Sequence, residues 1–507
     1  MNAFRPSAKW LLFVAFLLSS GVSRAAIFNA ASVAYSDVST AVALASPGDT
    51  VLLPSGTATW SQQLVLNGVS LIGAGTNATF IVDEVPRVNN GVPLIVINAT
   101  SRLTEVSEFT IEAGVTNTSY NYNGEISVSG DLPACWRIDH VFFAGPYAKA
   151  ILSYGNPFAV VDHCFFVMRA EGVLNYADGY GDTNWATPPN YGGSNMVYVE
   201  DCTFTNIVGY PAGVIDGDAG SDIVFRHCAV LNDFWANHGT ESSDRYRSMR
   251  KYEIYDNTFV DANGFTWAIQ LRGGTGVIFS NTATGYNNLC GMFNYRDGES
   301  FVPWGGASGY NPWDSNDGTM YLTGTNSGPT GSTLTVNNVN WTINQWVGYT
   351  VDDTNTGNFS IITSNSNNTI TVLPSKNNGP MTFNNGDVFQ IYRAEADLDQ
   401  VGRGSGDLIQ GDGPPYGPIA DAATGGINWP GEVSEPLYFW GNTLNGVPTG
   451  GESDYPNIQE GRDYINGTPK PGYVPYTYPH PLTLSGYTIT NNPTNGLTPP
   501  TGLHLIP

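Results

Sequence analysis

Residues 252–259 read YEIYDNTF, and six other stretches repeat their pattern: WRIDHVFF at 136–143, FAVVDHCFF at 158–166, VYVEDCTF at 197–204, DIVFRHCAV at 222–230, GVIFSNTA at 276–283 and LYFWGNTL at 437–444. Each is a short strand-forming run that ends in a polar corner. The residue after the corner is Val141, Cys164, Cys202, Cys228, Asn257, Asn281 or Asn442, at intervals of 23, 38, 26, 29, 24 and 161 residues. A period of about 25 suits one coil of a β-solenoid, and because a single coil cannot bury its apolar face, consecutive coils must stack along one axis. Equivalent residues then lie about 4.8 Å apart, so side chains can be aligned from the sequence.

A length of 507 residues ordinarily implies two or three domains, but a solenoid grows by repetition, which favours one long domain with an insert. Charged residues make up 13% of the chain and glycines number 59, as short strands and tight turns require. Residues 1–25 carry Arg5 and Lys9, then the apolar run WLLFVAFLL, then Ser23-Arg24-Ala25. This reads as a secretory signal peptide, so the product is expected to be secreted, extracellular or periplasmic. Cleavage after Ala25 would move the formal charge from −24 to −27, which argues against nucleic acid or anionic lipid as partners. No later run approaches the roughly 18 apolar residues of a membrane span, and a soluble monomer is expected.

Export permits disulfides, yet Cys164, Cys202 and Cys228 share a column with Asn257 and Asn281, which points to reduced thiols stacked inside the coil. Without a CxxC motif a structural zinc site has no support.

The stretch DVSTAVALASPGDTVLLPSGTATW, 37–60, reads as an amphipathic helix closed at Pro47-Gly48, followed by a strand and a turn. Such a helix would cover the open edge of the first coil. With LVLNGVSLIGAG at 64–75, it resembles the N-terminal entry of the pectate-lyase-like superfamily. That resemblance spans 30–300 and 397–446 and implies an all-β fold: a right-handed parallel β-helix with an N-terminal cap helix. It implies a polysaccharide-active protein without naming the polysaccharide.

Period-two alternation in STLTVNNVNWTINQWVGYTVDD (332–353), FSIITS (359–364), NTITVLPS (368–375) and GDVFQIY (386–392) marks an inserted small antiparallel β module. The expected organisation is signal 1–25, first part of the β-helix 26–317, module 318–394, last rungs 395–449 and a Pro- and Tyr-rich covering tail 450–507.

Counting from the ladder residues aligns Arg272, 15 beyond Asn257, with Arg296, 15 beyond Asn281, and Asp216, 14 beyond Cys202, with Asp178, 14 beyond Cys164. The segment NDFWANHGTESSDRYRSMRKYEIY, 232–255, concentrates Arg245, Arg247, Arg250 and Lys251 behind Trp235, His238 and Glu241. A cationic cluster in so acidic a chain suits docking of a polyuronate, the alternative being a solvated turn with local ion pairs to Asp244, Glu241 and Glu253. Tyr180, Trp185 and Trp304 lie in aromatic loops on either side, as sugar-stacking platforms or as loop anchors. IDGDAGSD, 215–222, offers Asp216, Asp218 and Asp222 as oxygen ligands for Ca²⁺, a cofactor common among the resembled lyases, or as the acid and base of a hydrolase. His140, His163 and His227 recur just before ladder positions, which assigns them a shared structural hydrogen-bonding role. His238 stands outside that column and is the preferred titrating residue.

Three functions remain open. The first is a secreted polysaccharide lyase cleaving an acidic, uronate-containing glycan by β-elimination, with His238 or Arg272 as base and Lys251 a further candidate. Arg250 and Arg296 would clamp the carboxylate, and Tyr295 would protonate the leaving group. Arg245, Arg247, Glu241, Trp235, Tyr180, Trp185 and Trp304 would bind substrate. The second is a glycoside hydrolase built on Asp216, Asp218 or Glu241, and the third a noncatalytic glycan-binding matrix protein.

Overall fold

The computed structural model describes residues 25–86, 91–114, 123–145, 149–168, 171–177, 182–185, 187–206, 213–239, 247–293, 320–347, 349–372, 381–392, 399–405, 412–413, 417–418, 433–453, 455 and 458–484. Within them the chain is almost entirely β, and its large sheets are parallel. Strands meet their equivalents one coil away in strict register. Asp222, Val224 and Arg226 pair with Lys251, Glu253 and Tyr255, which pair in turn with Thr275, Val277 and Phe279. This is a parallel β-helix.

Each coil presents three faces. The first holds Val197–Glu200, Asp222–Arg226, Lys251–Tyr255, Thr275–Phe279 and Leu437–Trp440, and the second Thr203–Asn206, Ala229–Leu231, Thr258–Val260 and Thr282–Thr284. The third holds Val173–Tyr176, Ile215–Asp218, Trp235–Ala236, Trp267–Leu271, Asn288–Met292 and Gly451–Ser453. The third face is divided into a six-stranded and a four-stranded sheet, and the seam runs between Ile215–Asp218 and Trp235–Ala236.

The corner between the first two faces explains the sequence repeat. Its pivot is left-handed at Glu108, His140, His163, Asp201, His227, Asp256 and Ser280, with φ between 47° and 63°, and at Gly441. One αL residue per coil bends the strand without a loop, and the next residue points inward. There the asparagines form a ladder. Asn257 Nδ2 donates to the Phe225 carbonyl, Asn281 Nδ2 to that of Ile254 and Asn442 Nδ2 to that of Ile278, each at 2.9 Å. Their Oδ1 atoms accept from the backbone N–H groups of Cys228, Asn257 and Asn281 at 2.8, 3.1 and 3.0 Å. The thiols of Cys164, Cys202 and Cys228 make the corresponding contact with the carbonyls of Ile138, Val161 and Val199 at 3.6 Å. All five cysteines are buried and free.

The histidines before the ladder share a backbone conformation rather than one hydrogen-bonding role. His140 and His163 each contact the preceding carboxylate, Asp139 and Asp162, at 2.8 and 2.9 Å, and their rings stack at 5.0 Å. His227 instead lies 3.8 Å from the Tyr478 ring.

At the N-terminal end a helix, Tyr35–Leu44, sends Val38 and Ala41 into the core. Six antiparallel strands between Met320 and Tyr392 form a separate sheet over their own apolar cluster, including Val351, Ile362, Ile370, Phe383, Phe389 and Ile391. The solenoid does not stop at 449, because Gly451–Ser453 pairs with the third face and Tyr464–Asn466 with Leu437–Trp440. Residues 470–484 then cross the first face, where Tyr473 Oη donates to Glu253 and the Tyr476 and Thr477 carbonyls accept from Arg226. No helix among the described residues is long and apolar enough to cross a membrane.

Candidate functional site

The seam in the third face brings together residues from three coils. Asp216 and Asp218 alternate on Ile215–Asp218, so both point to the same side of that strand. The next coil contributes His238, whose backbone N–H donates to the Gly217 carbonyl at 2.9 Å across the seam. Its Nδ1 lies 3.2 Å from Asp216 Oδ1 and 3.7 Å from Asp218 Oδ2. The carboxylates are nearly buried while the imidazole side chain keeps 27% of its exposure, so the ring forms the open end of the cluster. The third coil supplies Arg272. Its backbone N–H donates to Asn237 Oδ1 at 2.8 Å and its Nε to the Asn237 carbonyl at 2.7 Å. Asn237 is itself buried and donates to the Gly273 carbonyl at 3.0 Å. One amide side chain thus fixes Arg272 beside the residue that carries the imidazole. Sequence reading overlooked Asn237, although its place next to His238 was the available signal.

Packing behind the site is tight. A Cβ on Gly217 would stand 2.4 Å from the Met249 sulfur, and one on Gly239 would stand 2.7 Å from the Arg272 carbonyl oxygen. A side chain at Gly239 would require backbone movement, and one at Gly217 would require the Met249 and Ser221 side chains to shift.

The cationic cluster has a different fate. Arg247 is fully buried, with Nε 2.8 Å and Nη2 2.5 Å from the Asp399 carboxylate and its guanidinium 4.7 Å from the Trp185 ring centroid. Arg250 is 2% exposed, paired with Asp222 at 3.2 Å and bonded to the Thr187 carbonyl. Lys251 Nζ is buried, 2.6 Å from the Asn190 carbonyl and 3.4 Å from Glu253. These cations hold coil and loop together, and their burial keeps a substrate carboxylate away from Arg247, Arg250 and Lys251. Trp185, whose Nε1 donates to the Ser248 carbonyl at 3.0 Å, and Trp235 are also fully buried, so neither offers a ring face to a sugar. Tyr180, Glu241, Arg245, Tyr295, Arg296 and Trp304 lie outside the described residues.

The three acids read as calcium ligands do not converge. Asp222 begins the first-face strand and binds Arg250, whereas Asp216 and Asp218 adjoin His238 on the third face. Among the described residues no three His, Cys, Asp or Glu side chains form a metal-holding group.

No protein-family model matches the chain, and no curated protein matches it. Solved structures similar to it include a PL6 family polysaccharide lyase from Pseudopedobacter saltans, at 12% identity over 52% of this chain and 65% of that one, with a TM-score of 0.33. Another is a PL6 family alginate lyase, AlyGC, at 12% identity over 53% and 40%, TM-score 0.33. A third is the ORF18 protein of Geobacillus virus E2, at 15% identity over 67% and 72%, TM-score 0.30. The chain therefore spans less than two thirds of either lyase.

Proposed function

We propose that the third face binds a uronate-containing polysaccharide and that the protein, exported by its N-terminal segment, cleaves that polymer by β-elimination. The observation that carries this reading is the contact of His238 Nδ1 with Asp216 at 3.2 Å, with Arg272 on the adjoining coil. A carboxylate 3.2 Å from Nδ1 favours the tautomer protonated there, which leaves the lone pair on Nε2. Nε2 then takes the C5 proton of a bound uronate. The C–H electron pair becomes the C4=C5 double bond, the C4–O glycosidic bond breaks with its electron pair leaving on oxygen, and that oxygen takes a proton from water. Negative charge grows on the uronate carboxylate as C5–H is broken, and Arg272 stabilises it there.

The contact of two carboxylates with one imidazole also favours a second reading, in which Asp216 and Asp218 act as the acid and base of a glycoside hydrolase. Incubation with pectate, alginate, glucuronan, hyaluronan, chondroitin and ulvan separates the two. Elimination produces ultraviolet absorbance from the unsaturated uronate, hydrolysis produces reducing ends without it, and a binding protein produces neither.

A further inference from the structure

Toward the N-terminal end, where Leu482 shares an apolar cluster with Cys135 and Phe158, the first face carries a second group of charges. Leu103–Ala113, Cys135–Ala144 and Phe158–Asp162 are consecutive rungs, with Arg137 beside Glu105 and Asp139 between Ser107 and Asp162. Three carboxylates thus meet one guanidinium. Arg137 donates from Nε and Nη2 to Asp162 at 2.8 and 2.7 Å and from Nη1 to Glu105 at 3.0 Å, and Nη2 lies 3.4 Å from Asp139 Oδ2. That same oxygen accepts from the Ser107 hydroxyl at 3.0 Å and meets His140 Nδ1 at 2.8 Å. Asp139 is 4% exposed, and its other oxygen, Oδ1, is buried without a hydrogen-bond partner. An ionised carboxylate only accepts, so two neighbouring acids leave such an oxygen bare unless one of them holds a proton to donate. The other titratable group here is His163, 2.9 Å from Asp162 Oδ2 and stacked on His140 at 5.0 Å. On the far side Ser70–Ile72 contributes the Ser70 hydroxyl, which accepts from the Glu105 backbone N–H at 2.9 Å.

We infer that Glu105 and Asp139 bind one proton between them, which makes these rungs a clamp that tightens as the medium acidifies. The proton sits on Glu105, whose O–H is the donor that Asp139 Oδ1 lacks, and one guanidinium then faces two negative charges in place of three. Burial and the Asp139 charge push the Glu105 carboxyl up to about 7, although Arg137 pulls it down. Burial raises Asp162 as well, yet the bonds from Arg137 and His163 outweigh it and hold that carboxyl below the ordinary 3.8. The unfolded chain releases the Glu105 proton near the ordinary 4.5 and the folded chain near 7. The stability this proton contributes is therefore complete below about pH 4.5 and is lost as the pH rises through about 7.

The test is the melting temperature of the full chain from pH 5 to pH 8, taken as Glu105→Gln minus the unsubstituted protein, a difference that cancels the groups titrating in both. The amide keeps a donor for Asp139 and never ionises, so the difference should be smallest at pH 5 and favour the variant by a few degrees at pH 8. Glu105→Ala, with neither donor nor charge, should start lower and rise by the same amount. In the Asp139→Asn background the Glu105→Gln difference should change less with pH, because the neighbouring charge is gone. An ionised Glu105 paired with Arg137 predicts the reverse, a variant that loses ground as the pH rises. That outcome, a difference level from pH 5 to pH 8, or an undiminished slope in the Asp139→Asn background overturns the shared proton.

Discussion

The first and third faces use the same ionisable residue types and put them to opposite ends. On the first face Arg226 and Glu200 are fully buried, 2.6 Å apart, beneath Tyr476 and Thr477. On the third, Asp216 and Asp218 are nearly buried but the imidazole they touch faces outward. What separates them is the cover. Residues 470–484 close the first face and fix its charges in one arrangement, while the His238 side chain keeps 27% of its exposure.

The sharpest way to break that contrast is His238→Ala. Turnover should fall by about 10²–10⁴, the range of a lost general base, with the melting temperature unchanged. A variant that keeps its turnover would remove the third face from the chemistry. On the covered face Glu200→Ala should do the reverse, costing about 3–5 kcal/mol in denaturant unfolding because Arg226 is left buried without its partner. Folded molecules should retain their specific activity. Lys251→Met tests the same boundary, and activity lost with full stability would return that residue to the site.

Asn281→Ala should cost about 1–3 kcal/mol, since it leaves the Asn257 N–H and the Ile254 carbonyl without their buried partner. It is predicted to lower stability and spare turnover.

The smallest effect concerns the cover itself. His480 is fully buried among Phe158, Tyr198 and Tyr476, its backbone N–H donates to Glu200, and burial together with the Arg226 charge holds its pKa well below the ordinary 6.5. Below about pH 6.5 the undocked tail binds a proton that the docked tail excludes, so docking weakens as pH falls. Burial raises Glu200 despite Arg226, and its protonation opposes that trend nearer its ordinary 4.5. Amide protection in 473–484, taken relative to the intrinsic exchange rate at each pH, should therefore fall between pH 7 and 5, and His480→Asn should flatten the response.

Much of the fold was legible because the corner demands one αL residue and one inward residue per coil, a pattern that DHC, RHC, DNT and SNT all satisfy. The site was legible only in part. The count from the ladder does not carry to the third face: Leu174, 10 beyond Cys164, pairs with Asp216, 14 beyond Cys202, and Gln270, 13 beyond Asn257, pairs with Gly291, 10 beyond Asn281, so Asp178 and Arg296 are not the equivalents of Asp216 and Arg272. Lys251 is drawn into the chemistry by its place in a cluster of four cations, Arg245, Arg247, Arg250 and Lys251. Yet it lies six residues before Asn257, as Asp222 does before Cys228 and Thr275 before Asn281, and that offset is a first-face strand position. The same count would have separated Asp222 from Asp216 and Asp218. Arg247 and Arg250 could not be placed in this way, because their partners Asp399 and Thr187 come from distant chain. No count along the sequence reveals what a loop will cover.

Between Asn281 and Asn442 the chain makes an excursion of 161 residues, yet their side chains meet at 3.0 Å, as those of Asn257 and Asn281 do across 24 residues. The rung keeps no memory of how far the polypeptide travelled. Because closing a longer loop adds only about 0.6 kcal/mol per doubling, such a joint is a splice point where a cassette can be gained, exchanged or lost while the spine stays whole. New modules can thus be inherited one at a time by a scaffold whose own geometry is never renegotiated.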